Sequence, residues 1–212
     1  MSVTNIVSLG NNMLKIPKEE IEAIENTKGN VSGEKFYTTF PYLEKREKNN
    51  EVEKILSAMK ELGYPINLKE INSSKRYPIK IALLLFVVAK DIFNWGDEDI
   101  FEMGRYAPKV SFVTKILLRN LVSIKTIFNK ASDTWKNHYD FGSLEAVEID
   151  EEKRHLTVRV KDFNVHPIMC PYHGGYFQAM AEFCIKGKQV NTKETKCVHR
   201  GDDYHEYFIS WK

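Results

Sequence analysis

The segment that decides the fold is CPYHGGYFQAMAEFCIKGKQVNTKETKCVHRGDDYHEYFISWK, residues 170–212. It holds all three cysteines and three of the six histidines of the 212-residue chain. A helical pattern begins at Cys170 and runs to about Gly187, and two strand patterns at 190–197 and 204–211 then flank a turn at Gly201. The segment therefore predicts a helix followed by an antiparallel hairpin.

Four residues of this segment have side chains that can hold a metal ion: Cys170, Glu194, Cys197 and His205. Cys197 and His205 lie symmetrically about Gly201, so a hairpin places them opposite each other at its mouth. Two thiolates, an imidazole and a carboxylate complete a tetrahedral zinc shell, and four protein ligands make such a site structural. Because Glu194 and Cys197 would point to opposite faces of an unbroken strand, the site requires a bulge or loop between them.

Alternatives to this ligand set remain open. His173 and His199 are spare ligands within the same segment. The competing interpretation has no metal, since cysteines are also common as small buried apolar residues and the histidines can lie on the surface.

The same helix carries side chains that could line a ligand cavity together with Phe128 and Trp135. They are Tyr172, Tyr176, Phe177, Met180, Phe183 and Cys184. Leu156, Val158 and Val160 would form the opposing wall of a cavity of roughly a few hundred cubic ångströms. The alternative is ordinary core packing, which is the usual role of an aromatic stripe. The adjacent Gly174 and Gly175 cost a helix roughly 1 kcal/mol each, so they indicate a close backbone approach or a pocket mouth.

Helical patterns dominate the chain before residue 142. They are predicted after Pro17, at 51–62, from Pro78 to about Phe93, at 97–108, and at 112–139 as one helix or two abutting helices. A short strand is possible within 1–16. The aromatic-rich segment 36–43 is followed by the polar run 44–50, and Pro41 and that run are expected to break any long element there. Strand patterns at 144–149 and 156–160 then form a hairpin, so the predicted class is α+β.

Composition excludes several functions. With 42% hydrophobic residues the chain can build a core, and a net charge of +2 creates no field for nucleic acid or anionic membranes. No apolar run reaches the roughly 20 residues of a membrane span, and the start of the sequence shows no signal peptide, which predicts a cytoplasmic protein. No phosphate loop, nucleophile elbow or dinucleotide fingerprint is present, so no enzyme is expected.

The pattern Glu194-x-x-Cys197-x-x-x-Gly201-Asp202-x-Tyr204-His205-Glu206-Tyr207, after Cys-Pro-x-x-x-Gly at Cys170, resembles the 4-vinyl-reductase-type or hydrocarbon-binding domain. The resemblance covers residues 75–212. It implies a usually dimeric α+β fold shared with haem nitric-oxide-binding domains and TRAPP subunits, with a cavity for small apolar or aromatic molecules. It also implies a zinc ion held by Cys170, Glu194, Cys197 and His205, where His205 replaces the cysteine of the family.

We therefore expect a cytoplasmic sensor domain that binds an apolar or aromatic ligand at Phe128, Trp135, Tyr176, Phe177 and Met180, beside a structural zinc. Residues 1–74 are expected to be an N-terminal extension with a dimerisation role, and residues 75–212 to be the ligand-binding domain. Two alternatives belong to other classes. One is an interaction module that dimerises through segments 36–43 and 51–62. The other is a haem-based gas sensor, which rests on fold analogy.

Overall fold

The structure is a computed structural model that describes residues 6–9, 12–47, 49–111, 123–185 and 188–212. Helices dominate its first two thirds and a sheet its last third. The described elements, in chain order, are β1 (Ile6–Leu9), β2 (Asn12–Pro17), α1 (Lys18–Glu25), β3 (Asn30–Ser32), α2 (Glu34–Arg46), α3 (Asn49–Glu61), β4 (Arg76–Pro78), α4 (Ile79–Ile92), α5 (Asp97–Val110), α6 (Ile124–Asn129), α7 (Ala131–His138), β5 (Ser143–Asp150), β6 (His155–Lys161), α8 (Met169–Cys184), β7 (Val190–Lys196), a 3₁₀ turn (Val198–Arg200) and β8 (His205–Trp211).

The C-terminal sheet has four antiparallel strands in the order β5-β6-β8-β7. Its residues alternate between two faces, as β6 shows: Leu156, Val158 and Val160 are buried, whereas the residues between them are partly exposed. One face of the sheet therefore packs against the rest of the protein and the other faces outward, as the alternating pattern predicted. Both predicted hairpins and the predicted α+β class are confirmed.

Helix α8 crosses α5 with the two backbones in direct contact. A side-chain carbon built on Gly175 would overlap the carbonyl oxygen of Phe101, and one built on Gly104 would overlap the carbonyl oxygen of Tyr172. Only glycine lets the helices approach so closely. Of the two explanations for the glycine pair of α8, close approach is the correct one for Gly175. This contact holds α8, which also packs against β7 and β8, in a fixed position.

Helix α4 is largely buried. Leu83, Leu84, Leu85 and Val88 are fully buried, so apolar residues occur on all sides of the helix rather than on one stripe. The helix is 14 residues long. Among the residues that the structure describes, no helix is long and apolar enough to cross a lipid bilayer.

The expectation that Pro41 breaks the element is wrong, whereas the polar run 44–50 does contain a break, since α2 ends at Arg46 and α3 begins at Asn49. Helix α2 runs from Glu34 to Arg46 with Pro41 inside it. A proline within a helix costs about 3 kcal/mol, because it removes one backbone hydrogen bond. Burial of Phe36, Phe40 and Leu43 offsets this cost, since each such side chain contributes about 1.5–3 kcal/mol when it leaves water.

The same burial removes the argument for a dimer through segment 36–43. Phe36, Phe40 and Leu43 are at most 3% exposed and belong to the core of their own chain. Tyr37 is 50% exposed, and its hydroxyl donates a hydrogen bond to the carbonyl of Ile71. Dimerisation and the division at residue 74 stay predictions.

The long helical pattern of residues 112–139 corresponds, where it is described, to the two abutting helices α6 and α7. The Ser123 hydroxyl accepts a hydrogen bond from the backbone N–H of Thr126 and so caps α6. Residues 112–122 lie outside the described residues. Helix α7 contributes Trp135 to the core, where its ring meets Tyr139, Phe163 and His173.

Candidate functional site

The four residues predicted to bind metal come together in the structure. Cys170, Glu194, Cys197 and His205 each direct one ligand atom into a group whose members all lie within 4.8 Å of one another. The two sulfur atoms are 3.6 Å apart, and the Cys170 sulfur is 3.8 Å from His205 Nδ1. Residues from a helix start, from two strands and from the turn between these strands, up to 35 positions apart in sequence, thus share one site.

Local backbone features bring Glu194 and Cys197 to the same side. The pairing of β7 with β8 shifts register between Glu194 and Lys196, which is the bulge that the spacing required. A 3₁₀ turn follows Cys197 and ends at Gly201, whose φ of 92° suits glycine. The Asp202 carboxylate accepts a hydrogen bond from the backbone N–H of Cys197 at 2.8 Å, and this contact fixes the turn.

The imidazole of His205 is oriented by contacts on both ring nitrogens. Its Nε2 lies 3.2 Å from the carbonyl oxygen of Phe163, and its Nδ1 lies 3.0 Å from Glu194 Oε1. A carbonyl that receives the Nε2 proton leaves Nδ1 as the nitrogen that can bind a cation, which is the usual arrangement behind a metal-binding histidine. His205 therefore presents Nδ1 to the cluster.

Charge in the cluster depends on burial and on close neighbours. Burial raises the pKa of the Cys170 thiol, and the adjacent Glu194 and Cys197 raise it further. Burial also opposes ionisation of Glu194, yet its pKa is lowered because His205 and the charge of Arg200 lie close to its carboxylate. The cluster thus holds one carboxylate and one thiol that favours its protonated form until a cation displaces the proton.

The two spare histidines lie outside this group. His173 is buried in the interior, where its Nε2 accepts a hydrogen bond from the Tyr139 hydroxyl at 3.1 Å. The ring centre of His199 is 5.6 Å from that of His205, and burial followed by the charge of His205 lowers the His199 pKa. The structure therefore assembles the predicted set of four without either alternative.

A first interior cavity of about 30 Å³ lies between α2, α7 and α8. Its polar wall contains Lys35, His138, Tyr139 and His173. The Lys35 ammonium nitrogen is 3.1 Å from the Tyr139 hydroxyl, and His138 Nε2 is 3.1 Å from the hydroxyl of Tyr176. Burial, followed by the charge of Lys35, lowers the pKa of His138 to about 3 and that of His173 well below its usual value. Both imidazoles are therefore neutral at physiological pH.

A second cavity of about 60 Å³ adjoins the first and is almost wholly apolar. Thr134, Leu144, Tyr176 and Phe177 border both cavities. Cavities of this size hold a few water-sized molecules, which is less than the few hundred cubic ångströms that a drug-sized ligand needs. The apolar side chains around the second cavity are Ile124, Ile127, Phe128, Ala131, Leu156, Val158, Met180, Ala181 and Ile209.

All five predicted ligand-binding residues border these cavities. Trp135 borders the first, Phe128 and Met180 the second, and Tyr176 and Phe177 both. The predicted opposing wall is present in Leu156 and Val158, while Val160, Phe183 and Cys184 are not among the residues found around the described cavities. Whether a ligand binds there stays a prediction.

Sequence reasoning missed the polar wall of the first cavity. Lys35 precedes an aromatic-rich segment that was expected to be irregular, and His138 and Tyr139 end a helical pattern. No local spacing connects residues 104 positions apart, such as Lys35 and Tyr139. The run of aromatic residues in 36–43 was the available signal, because it indicated burial of whatever lies beside it.

Comparison with protein-family models and with curated protein sequences gives no match. Comparison with solved structures finds H-NOX proteins, whose name denotes haem nitric oxide/oxygen binding. One from S. oneidensis, with Fe(II) ligated by NO, has a TM-score of 0.66 and 10% identity, and the alignment covers 85% of this chain and 99% of that one.

Two further structures agree. An oxygen-binding H-NOX domain related to soluble guanylate cyclases has a TM-score of 0.61 and 13% identity, with 85% of this chain and 95% of that one covered. Unliganded Fe(II) H-NOX from K. algicida has a TM-score of 0.58 and 13% identity, and the alignment covers 85% of this chain and 96% of that one. Identities this low establish architecture and not function. The relation to haem nitric-oxide-binding domains that the resemblance implied is confirmed at that level: this chain has the fold of the H-NOX proteins.

Proposed function

We propose that this protein is a sensor domain that receives a small ligand in the interior, between α6, α7, α8 and the sheet. The observation that carries the proposal is the pair of adjoining cavities, one polar and one apolar, with Thr134, Leu144, Tyr176 and Phe177 in common. Well-packed cores contain few voids larger than a water molecule. Two that share four lining residues thus support a place for a ligand.

Among the functions predicted from sequence, the haem-based gas sensor is the one that the comparisons favour over the sensor of apolar ligands. The structural neighbours include Fe(II) H-NOX proteins ligated by NO or in complex with oxygen. In this chain, His138 and His173 are the residues that would hold haem, because each is a buried neutral imidazole, the form that ligates haem iron. Bound haem would supply an iron that ligates a diatomic gas.

The fit of haem to this interior is mixed. The donor atoms suit it, but the Tyr139 hydroxyl lies on Nε2 of His173 and the Tyr176 hydroxyl on Nε2 of His138. Cavities of about 30 and 60 Å³ also leave no space for a porphyrin in this packing. Because the space does not fit, no step of sensing is derived through haem, and a direct binding test is required.

The haem test is an absorption spectrum of the purified protein before and after addition of haem. Haem sensing predicts a Soret band that His173→Ala or His138→Ala shifts or removes. His155→Ala is the matched control, because His155 stacks on Phe208 on the opposite face of the sheet. Absence of a protein-dependent Soret band would reject haem, and a band that all three variants retain unchanged would reject His138 and His173 as its ligands.

The second candidate is a sensor of small apolar or aromatic molecules, and the apolar wall of the second cavity favours it. Met180 and Phe128 lie there within reach of Leu156 and Val158. A thermal-shift screen with toluene, other small aromatics and isoprenoids tests this candidate. Stabilisation by any of these compounds, in protein that shows no haem spectrum, would support it.

We also propose that the four-residue cluster holds a structural zinc ion. Its donors are two sulfurs, one imidazole nitrogen and one carboxylate oxygen within 4.8 Å of one another, which suits tetrahedral zinc. The ion would join the start of α8 to the β7–β8 hairpin and so stabilise the packing of this helix on the sheet. Metal analysis of protein purified without chelator should find about one zinc per chain.

A further inference from the structure

Lys35 is a lysine in the protein interior, on the first turn of α2. It is 8% exposed, whereas lysines are almost never buried without a partner. Its ammonium nitrogen hydrogen-bonds to the Tyr139 hydroxyl and lies 4.0 Å from the ring centre of Tyr172. Both contacts are with the wall of the first cavity, so the amine borders the space that a ligand would enter.

The surroundings of Lys35 favour its neutral form. Burial lowers the pKa of Lys35 to about 7, against the charge of Glu34, which raises it. The other titratable groups around the same cavity are His138, Tyr139, Tyr172, His173 and Tyr176. A neutral amine is a nucleophile, and desolvation in a hydrophobic pocket is one of the ways in which proteins activate lysine.

The two cavities match the two ends of one kind of molecule. The first offers an amine and a phenolic hydroxyl, and the second offers apolar side chains such as Met180 and Leu156. A small molecule with a polar electrophilic carbon at one end and an apolar group at the other satisfies both. An apolar aldehyde, such as benzaldehyde, has this form.

We propose that Lys35 captures small apolar aldehydes as a Schiff base, with the aldehyde's apolar group in the second cavity. This inference rests on the proposed function, since it names a ligand class for the same interior space. The Lys35 nitrogen attacks the carbonyl carbon, and the carbonyl oxygen gains a proton to give a carbinolamine. Loss of that oxygen as water then forms the C=N bond, so amine and aldehyde give imine and water without any oxidant or reductant.

Two neighbours suit this reaction. The Tyr139 hydroxyl, 3.1 Å from the Lys35 nitrogen, can pass a proton to the departing oxygen and regain one from water. The carboxyl group of Glu34 is buried and favours a positive charge on Lys35, and it would stabilise the protonated imine in the same way.

The test is reductive trapping of the full chain at pH 7 with benzaldehyde and cyanoborohydride, followed by peptide mass spectrometry. Lys35 should gain a benzyl group at least roughly tenfold faster than exposed Lys60 and Lys153, because far more of its amine is neutral at this pH. Labelling of Lys35 no faster than that of the exposed lysines would overturn the inference.

A parallel thermal-shift measurement with toluene separates this inference from the proposed function. Stabilisation by toluene without preferential trapping at Lys35 leaves the ligand cavity standing and rejects the Schiff base. No stabilisation by toluene and no trapping reject the Schiff base and count against the apolar-ligand cavity. Lys35→Met, and Lys35→Arg where it folds, should lose the fast-labelled site and keep the labelling of Lys60. If neither variant folds, the comparison of Lys35 with Lys60 and Lys153 in the labelled natural chain decides the question by itself.

Discussion

Replacement of Lys35 by methionine should stabilise the protein at neutral and mildly acidic pH. Lys35 has its pKa lowered from 10.5 to about 7 by burial. The unfolded chain therefore binds more protons than the folded one between pH 7 and 10.5, and the stability of the natural protein rises with pH across that window. At about 1.4 kcal/mol per pKa unit, keeping this lysine charged in the fold costs on the order of 5 kcal/mol below pH 7.

Lys35→Met removes that cost but also the hydrogen bond to Tyr139, which is worth about 1 kcal/mol. We expect the variant to gain about 3–4 kcal/mol in unfolding free energy at pH 6.5. The gain in unfolding free energy should fall as the pH rises from 7 to 10.5. It should become a loss of about 1 kcal/mol at the upper end, where the lysine loses its charge in the unfolded chain as well.

Urea unfolding followed by circular dichroism, from pH 6 to 10.5, measures this difference. Burial is the largest cause of the low pKa of His138 and of His173 and is present in both proteins, so these groups contribute little to the difference above pH 6. Lys60→Met, on the exposed face of α3, is the control and should show a small difference that hardly varies with pH. The reasoning would be refuted if the difference in unfolding free energy between Lys35→Met and the natural protein also hardly varied with pH. It would also be refuted if Lys35→Met were less stable than the natural protein at pH 6.5.

Three further predictions follow from the cluster, the helix crossing and the second cavity. Cys197→Ser should lose the zinc and have a lower Tm, and a chelator should lower the Tm of the natural protein in the same way. His205→Cys should keep the zinc and the Tm, whereas unchanged melting of Cys197→Ser would reject the site. Gly175→Ala should lower the unfolding free energy in urea by about 1–3 kcal/mol, while Gly96→Ala, with its nearest neighbouring atom 3.9 Å away, should change it much less. Met180→Trp should fill the second cavity and abolish any thermal shift that an apolar compound gives, and a persistent shift would place the ligand elsewhere.

The sequence by itself predicted the elements whose patterns are strong and local. The alternation of Leu156, Val158 and Val160 determined a strand with one buried face, and it did so because side chains of a strand alternate between two sides. The symmetry of Cys197 and His205 about Gly201 placed them at one hairpin mouth. Even the required bulge after Glu194 followed from counting residues, and the register of β7 and β8 contains it.

The tertiary structure decided what depends on partners distant in sequence. Pro41 argues against a helix locally, yet α2 continues through it, because burial of Phe36, Phe40 and Leu43 outweighs one lost hydrogen bond. Gly175 allowed two explanations until its contact with α5 selected one. The aromatic run after Lys35 indicates burial nearby, but only the packing of Tyr139 and Tyr172 around Lys35 makes it a buried amine beside a cavity. Burial depends on the atoms that arrive from elsewhere in the chain, and no short stretch of sequence contains them.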